Sequence, residues 1–123
     1  KNFFEGEIIF LHNLDNKYLV NLYKKADLFI FSSYCEVFGL TSLEAMSQNC
    51  PVAISNTSAL PEINGNAVHY FDPDNIIDIK ESLRILTTDK EYTKNLNLRA
   101  NDHFKKFSWG KTVMETCNIL EIE

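Results

Sequence analysis

Seven residues separate Glu36 from Glu44, and the interval "VFGLTSL" contains a single glycine, Gly39. A helix starting near Gly39 leaves its first backbone N–H groups without internal partners. Phe38, Gly39, Leu40 and Thr41 supply several of them. With the helix dipole they form a site for a phosphate or another anion, and Gly39 lets a ligand approach the backbone closely. Carboxylates do not bind phosphate, but ionised ones accept strong hydrogen bonds from hydroxyls on either side of it. Hydroxyls, diphosphate, hydroxyls is the outline of a nucleotide sugar. The same residues also support a structural reading. Thr41-Ser42-Leu43-Glu44 fits a capping box, with Glu44 serving a backbone N–H, and Glu36 suits the positive end of a helix. There is no GxGxxG fingerprint and no P-loop. On the residues alone, both readings stand.

The elements that must position these residues follow from periodicity. "EIIFL" (7–11) reads as a short strand and "DNKYLVNLYKKA" (15–26) as a helix with Asp15 as its N-cap. "DLFIF" (27–31) is a continuous apolar run, the pattern of a strand buried on both faces. "GLTSLEAMSQN" (39–49) reads as a helix with Leu40, Leu43, Ala45 and Met46 toward a core. Asn49 suits a left-handed C-terminal position, and Pro51 stops continuation. "PVAIS" (51–55) and "AVHYF" (67–71) are further strands, and "NTSALPE" (56–62) reads as a loop. The rest reads as helical: 75–89 with an apolar side at 76, 79, 83 and 86, then 90–107, then a helix from Trp109 to Ile122 capped by Ser108. Strands alternating with helices predict an α/β fold with a parallel sheet. In such sheets ligands bind beyond the carboxyl ends of the strands, which is where residues 32–40 fall.

Composition narrows the function classes. At 123 residues the chain is one domain at most, and a formal charge of −5 offers no basic footprint for nucleic acid. Cys35, Cys50 and Cys117 are scattered and lack metal-ligand spacing, as do His12, His69 and His103. We therefore expect no metal site, no nucleophilic role for Cys35 and a packing role for His69. No apolar run approaches the ~20 residues that span a bilayer. The chain reads as soluble and cytoplasmic, with peripheral contact at the inner membrane face left open.

The stretch "ADLFIFSSYCEVFGLTSLEAMSQNCPVAISNTSALPE", followed by "FDPDN" and "FSW", resembles the retaining glycosyltransferases of family 4, which have the GT-B fold. The similarity runs from "IIFLHNL" nearly to the end of the chain, and Glu36 and Glu44 match the family's E-x7-E motif. The resemblance implies a single partial Rossmann-like domain over 1–123. This would be the C-terminal donor-binding part of a hexosyltransferase, followed by an all-helical segment. It assigns Glu36 a catalytic place at the donor-sugar hydroxyls. Val37, Phe38, Gly39, Leu40 and Thr41 would line the sugar and diphosphate, and Glu44 would bind the ribose. His12, Asn13 and Leu14 would lie near the nucleobase. The donor is a nucleotide diphosphate sugar, no metal or other cofactor is obligatory, and acceptors are glycans, glycolipids or lipopolysaccharide intermediates. Val37, His12 and Asn49 depart from the pattern, each standing where the family commonly has Gly.

The resemblance also implies what is not in this chain: the acceptor-binding domain, the first strands of the donor domain, and the Arg and Lys that neutralise the departing diphosphate. No Arg precedes Arg84. We expect no transfer activity from the chain alone, a gap between "EIIFL" and "DLFIF", and self-association through an unpaired sheet edge. Trp109 is expected to anchor the last helix. Two other classes fit less well: a non-catalytic nucleotide-sugar-binding or interaction domain, and a nucleotide-sugar epimerase of the GT-B fold.

Overall fold

The computed structural model describes residues 6–121. Three short parallel strands, β1 (Phe29–Phe31), β2 (Val52–Ser55) and β3 (His69–Phe71), form one sheet in the order β1-β2-β3. The register pairs Phe29 with Val52 and Ala53 with His69. Helix α1 (Asn16–Lys25) precedes the sheet, α2 (Leu40–Ser47) links β1 to β2, and α3 (Leu60–Asn64) lies between β2 and β3. After β3 come α4 (Ile76–Thr88), α5 (Lys90–Phe104) and α6 (Trp109–Leu120).

The sheet is held from both faces because side chains alternate along β2. Val52 and Ile54 pack with Leu43, Met46 and Leu60, whereas Ala53 packs with Phe71, Leu86 and Leu96. Every residue of β2 is buried, as its apolar run predicts for a central parallel strand. Caps set the helix starts. The Asn75 side chain accepts hydrogen bonds from the Ile77 and Asp78 N–H groups, Asp89 from Tyr92 and Ser108 from Lys111. Asp15 occupies the N-cap of α1 but makes no side-chain cap bond. Asn49 takes the left-handed conformation with φ 61°, one residue past the C-cap of α2, Gln48.

Several expectations need correction. Residues 7–11 form no strand, and Ile8, Ile9, Phe10 and Leu11 are all exposed. An apolar run becomes a strand only beside a hydrogen-bonding neighbour, and among the described residues β1 pairs with β2 alone. For the same reason β1 is less buried than its sequence suggests, with Ile30 45% exposed. Leu40 and Ile76, assigned to core faces, are exposed, because each opens its helix where the chain has not yet turned onto the sheet. Part of the "NTSALPE" loop is the short helix α3, started by Pro61 in its first turn. Trp109 does not anchor α6: it is 76% exposed, and no residue of that helix is buried. The helix to Ile122 is seen to Leu120, and Ile122 lies outside the described residues.

Candidate functional site

Because the three strands run parallel, the segments leaving their carboxyl ends, 32–39, 56–59 and 72–75, emerge at one edge of the sheet. Hydroxyl groups bind them together. Ser55 Oγ and Thr57 Oγ1 both donate to the Ser33 carbonyl. Ser58 Oγ accepts from the Glu36 N–H at 3.2 Å and donates to the Glu36 carbonyl at 2.8 Å. Tyr34 Oη donates to Asp74 Oδ1 at 2.8 Å, and the Asn56 N–H donates to the Phe71 carbonyl. The Asp74 carboxylate is the first cause of the raised Tyr34 pKa.

Gly39 is the N-cap of α2, in the left-handed region at φ 76°, ψ 48°. A Cβ added there would lie 2.7 Å from Leu60 Cδ2, so both conformation and space call for glycine. Behind it lies a fully buried polar chain. Ser42 Oγ donates to the Gly39 carbonyl at 2.8 Å and meets Asn64 Oδ1 at 2.6 Å, and Asn64 Nδ2 donates to the Leu60 carbonyl. These bonds lock the first turn of α2 onto α3.

This geometry removes the capping-box reading. The helix starts at Leu40, not after Thr41, and its N-cap has no side-chain hydrogen bond. Thr41 is therefore inside the first turn, and Glu44 lies too far along the helix to serve the N-cap N–H. The Ser42 N–H reaches the Gly39 carbonyl at 3.1 Å, while the Leu40 and Thr41 N–H groups have no backbone partner among the described residues. Thr41 Oγ1 is buried without a hydrogen-bond partner. Two N–H groups and an orphaned hydroxyl thus occupy one turn, which is the arrangement an anion satisfies.

Glu36 precedes this turn in the chain and Glu44 follows it within α2. Glu36 is half-buried in the loop before α2, and its carboxylate makes no hydrogen bond among the described residues. Glu44 is exposed on the outer face of α2 and borders a cavity of about 200 Å³ with Asn16, Leu19, Val20, Tyr23, Ser47 and Gln48. Tyr23 Oη donates to Glu44 Oε2 over a long 3.4 Å. Burial, and next the Glu44 carboxylate, push the Tyr23 phenol up to about 12. Val37 is 91% exposed at the tip of the loop. Phe38 turns inward against the core and meets Phe107 edge-to-face at 5.8 Å.

His12, Asn13 and Leu14 are exposed, and Asn13 has φ 51°. They lead into α1, whose Asn16 borders the Glu44 cavity. Of the 36–44 segment, Val37, Leu40 and Glu44 are exposed and Glu36 and Thr41 half-buried, whereas Phe38 faces the core and Gly39, Ser42 and Leu43 are buried; 12–14 precede α1 in the chain and do not line the Glu44 cavity. Sequence reasoning missed Ser58, Thr57 and Asn64. For the first two, the hydroxyl residues Ser55, Thr57 and Ser58 are a signal in the sequence that does not show which loop they hold; Asn64 has none. His69 is a packing residue, as expected. Its Nδ1 lies 2.8 Å from Tyr92 Oη and its Nε2 3.1 Å from Ser82 Oγ, and burial lowers its pKa. Cys35 is a free exposed thiol. No group of three or more His, Cys, Asp or Glu gathers among the described residues, and no helix among them is long and apolar enough to cross a membrane.

A parallel sheet covered by helices, with its loops knit at the carboxyl edge, defines a Rossmann-like α/β domain. The fold matches that of sucrose-phosphate synthase from Thermosynechococcus elongatus with a TM-score of 0.81 at 21% identity, over 92% of this chain and 29% of that one. That neighbour is a glycosyltransferase of the GT-B fold. The family model "Glycosyl transferases group 1" matches residues 3–107, and the chain belongs to that family. Among curated relatives, O-antigen chain mannosyltransferase B of Escherichia coli is 33% identical over 96% of this chain and 31% of its own length. Serotype-specific mannosyltransferase WbdA of Escherichia coli is 35% identical over 87% of this chain and 13% of its own. The chain thus spans about a third or less of the length of these relatives.

Proposed function

We propose that this chain is the donor-binding part of a retaining hexosyltransferase, binding a nucleotide diphosphate sugar at the N-terminus of α2. The observation that carries the reading is the first turn of α2. Its Leu40 and Thr41 N–H groups and buried Thr41 hydroxyl lack partners among the described residues, and the carboxylates that precede and follow it in the chain, Glu36 and Glu44, are not engaged in capping. The diphosphate fits the turn, the sugar hydroxyls reach Glu36, and the ribose hydroxyls reach Glu44. The base then lies toward His12, Asn13 and Leu14. Val37, exposed at the loop tip, narrows the sugar side. The mannosyltransferase relatives favour mannose as the hexose and a surface glycan as the acceptor.

Chemistry would proceed on one face of the sugar. The bond from the anomeric carbon to the diphosphate oxygen breaks as the acceptor oxygen bonds to that carbon from the same side. The acceptor proton passes to the departing phosphate. Glu36 orients the sugar hydroxyls throughout, and the α2 N–H groups stabilise charge growing on the leaving group. The acceptor site and the cations for the leaving group belong to other parts of the parent enzyme. The chain alone therefore binds donor without transferring it, and needs no metal to do so.

Calorimetric titration of the chain with nucleotide diphosphate sugars tests the reading. Glu44→Gln should weaken binding about tenfold, since it exchanges a charge-assisted hydrogen bond for a neutral one worth about 1–1.5 kcal/mol less, and leave the urea midpoint unchanged. Unaltered affinity with lowered stability would restore a purely structural role for Glu44.

A further inference from the structure

The backbone of Glu36 is held by one side chain. The Ser58 hydroxyl accepts from its N–H at 3.2 Å and donates to its carbonyl at 2.8 Å. These two groups lie on either side of the Glu36 Cα, so fixing both fixes the direction in which the side chain leaves the backbone. Ser58 itself adopts φ 55°, a left-handed conformation that serine takes at a cost. Of the other non-glycine residues at positive φ, Asn13 and Asn49 are asparagines, which tolerate it, and Glu121 ends α6. Ser58 is the strained position that sits at the site. Its neighbours reinforce the link, since Ser55 and Thr57 hold the Ser33 carbonyl in the same loop.

We propose that Ser58 is a positioning residue: it aims Glu36 at the sugar and so sets how much the sugar moiety contributes to donor affinity. This rests on the reading that Glu36 meets the sugar hydroxyls. A role in folding alone accounts for the bonds poorly. Ser58 is exposed, where hydrogen bonds add little stability, and its backbone strain opposes folding. Backbone strain held in place by a bond to the residue carrying the chemistry is the pattern of a pre-organised site.

Ser58→Gly separates the two roles. Glycine relieves the positive φ and deletes the hydroxyl, so stability should hold or rise while Glu36 loosens. The experiment titrates the full chain, wild type and variants, with GDP-mannose and UDP-glucose, and with GDP and UDP as sugar-free controls. The ratio of affinities with and without the sugar is the sugar increment. We expect Ser58→Gly to cut that increment about three- to tenfold, with affinity for the bare diphosphates within about twofold of wild type and no fall in the urea midpoint. Ser58→Ala, which keeps the strain, should cut it similarly. If Glu36→Gln removes the increment and Ser58→Gly does not, Ser58 only shapes the loop, and the Glu36 reading survives. If Glu36→Gln leaves the increment intact, or the wild type shows none, the contact of Glu36 with sugar fails and this inference fails with it.

Discussion

Gly39→Ala puts the geometry of the α2 N-terminus to a quantitative test. Two costs arise from the coordinates. The residue has φ 76°, where an L side chain is disfavoured by about 1–2 kcal/mol. Its Cβ would also approach Leu60 Cδ2 to 2.7 Å and Phe31 Cε1 to 3.5 Å. A leucine tip normally yields cheaply, but Leu60 is wholly buried among Met46, Ile54 and Tyr70. Overpacking of that kind costs about 1–3 kcal/mol. The sum is a loss of about 2–5 kcal/mol. Urea denaturation followed by far-UV circular dichroism should show the midpoint falling by roughly 1 M or more at unchanged slope. Combination with Leu60→Ala separates the two costs. The double variant should lose less than the sum of the singles by about 1 kcal/mol or more, because the clash is gone while the strain remains. A single-variant loss below about 1 kcal/mol would refute the left-handed cap and the tight packing together, and strict additivity would refute the tight packing of α2 on α3.

Burial lowers the pKa of His69, partly opposed by Asp78, so between that lowered value and the ordinary 6.5 the unfolded chain binds more protons than the folded one. Stability should therefore be complete above about pH 6.5 and decline as pH falls through that window; equilibrium unfolding at several pH values should show a smaller decline for His69→Gln, and an equal one would contradict the assignment. The outer edge of β1, unpaired among the described residues, and the exposed apolar run Ile8–Leu11 should make the chain self-associate. Sedimentation velocity at rising concentration should show mass above the monomer, and a monomer throughout would contradict it.

The sequence shows most clearly what local patterns dictate. The run Val52–Ser55 is buried on both faces, Ser108 caps its helix, and Asn49 takes the left-handed turn. The family, too, is readable from the stretch between Ala26 and Glu62, and the match over residues 3–107 bears it out. What depends on neighbours was not legible. Residues 7–11 have strand composition but no strand beside them, and Trp109 has an anchor's chemistry but nothing to pack against among the described residues. The start of α2 near Gly39 was legible, but the sequence left the capping box at Thr41 open beside it, because what excludes that box is the left-handed Gly39 cap and the packing of the first turn on Leu60 and Asn64. The two carboxylates were visible in the sequence. The serine that holds one of them was not, since a contact 22 positions away leaves no local pattern.

The central claim is that a diphosphate binds the first turn of α2, and amide chemical shifts during titration test it most directly. In ¹H–¹⁵N spectra of the labelled chain, addition of a nucleotide diphosphate sugar should shift the Leu40 and Thr41 resonances furthest, with smaller shifts at Glu36 and Glu44. Saturable shifts centred elsewhere, with Leu40 and Thr41 unmoved, would contradict it.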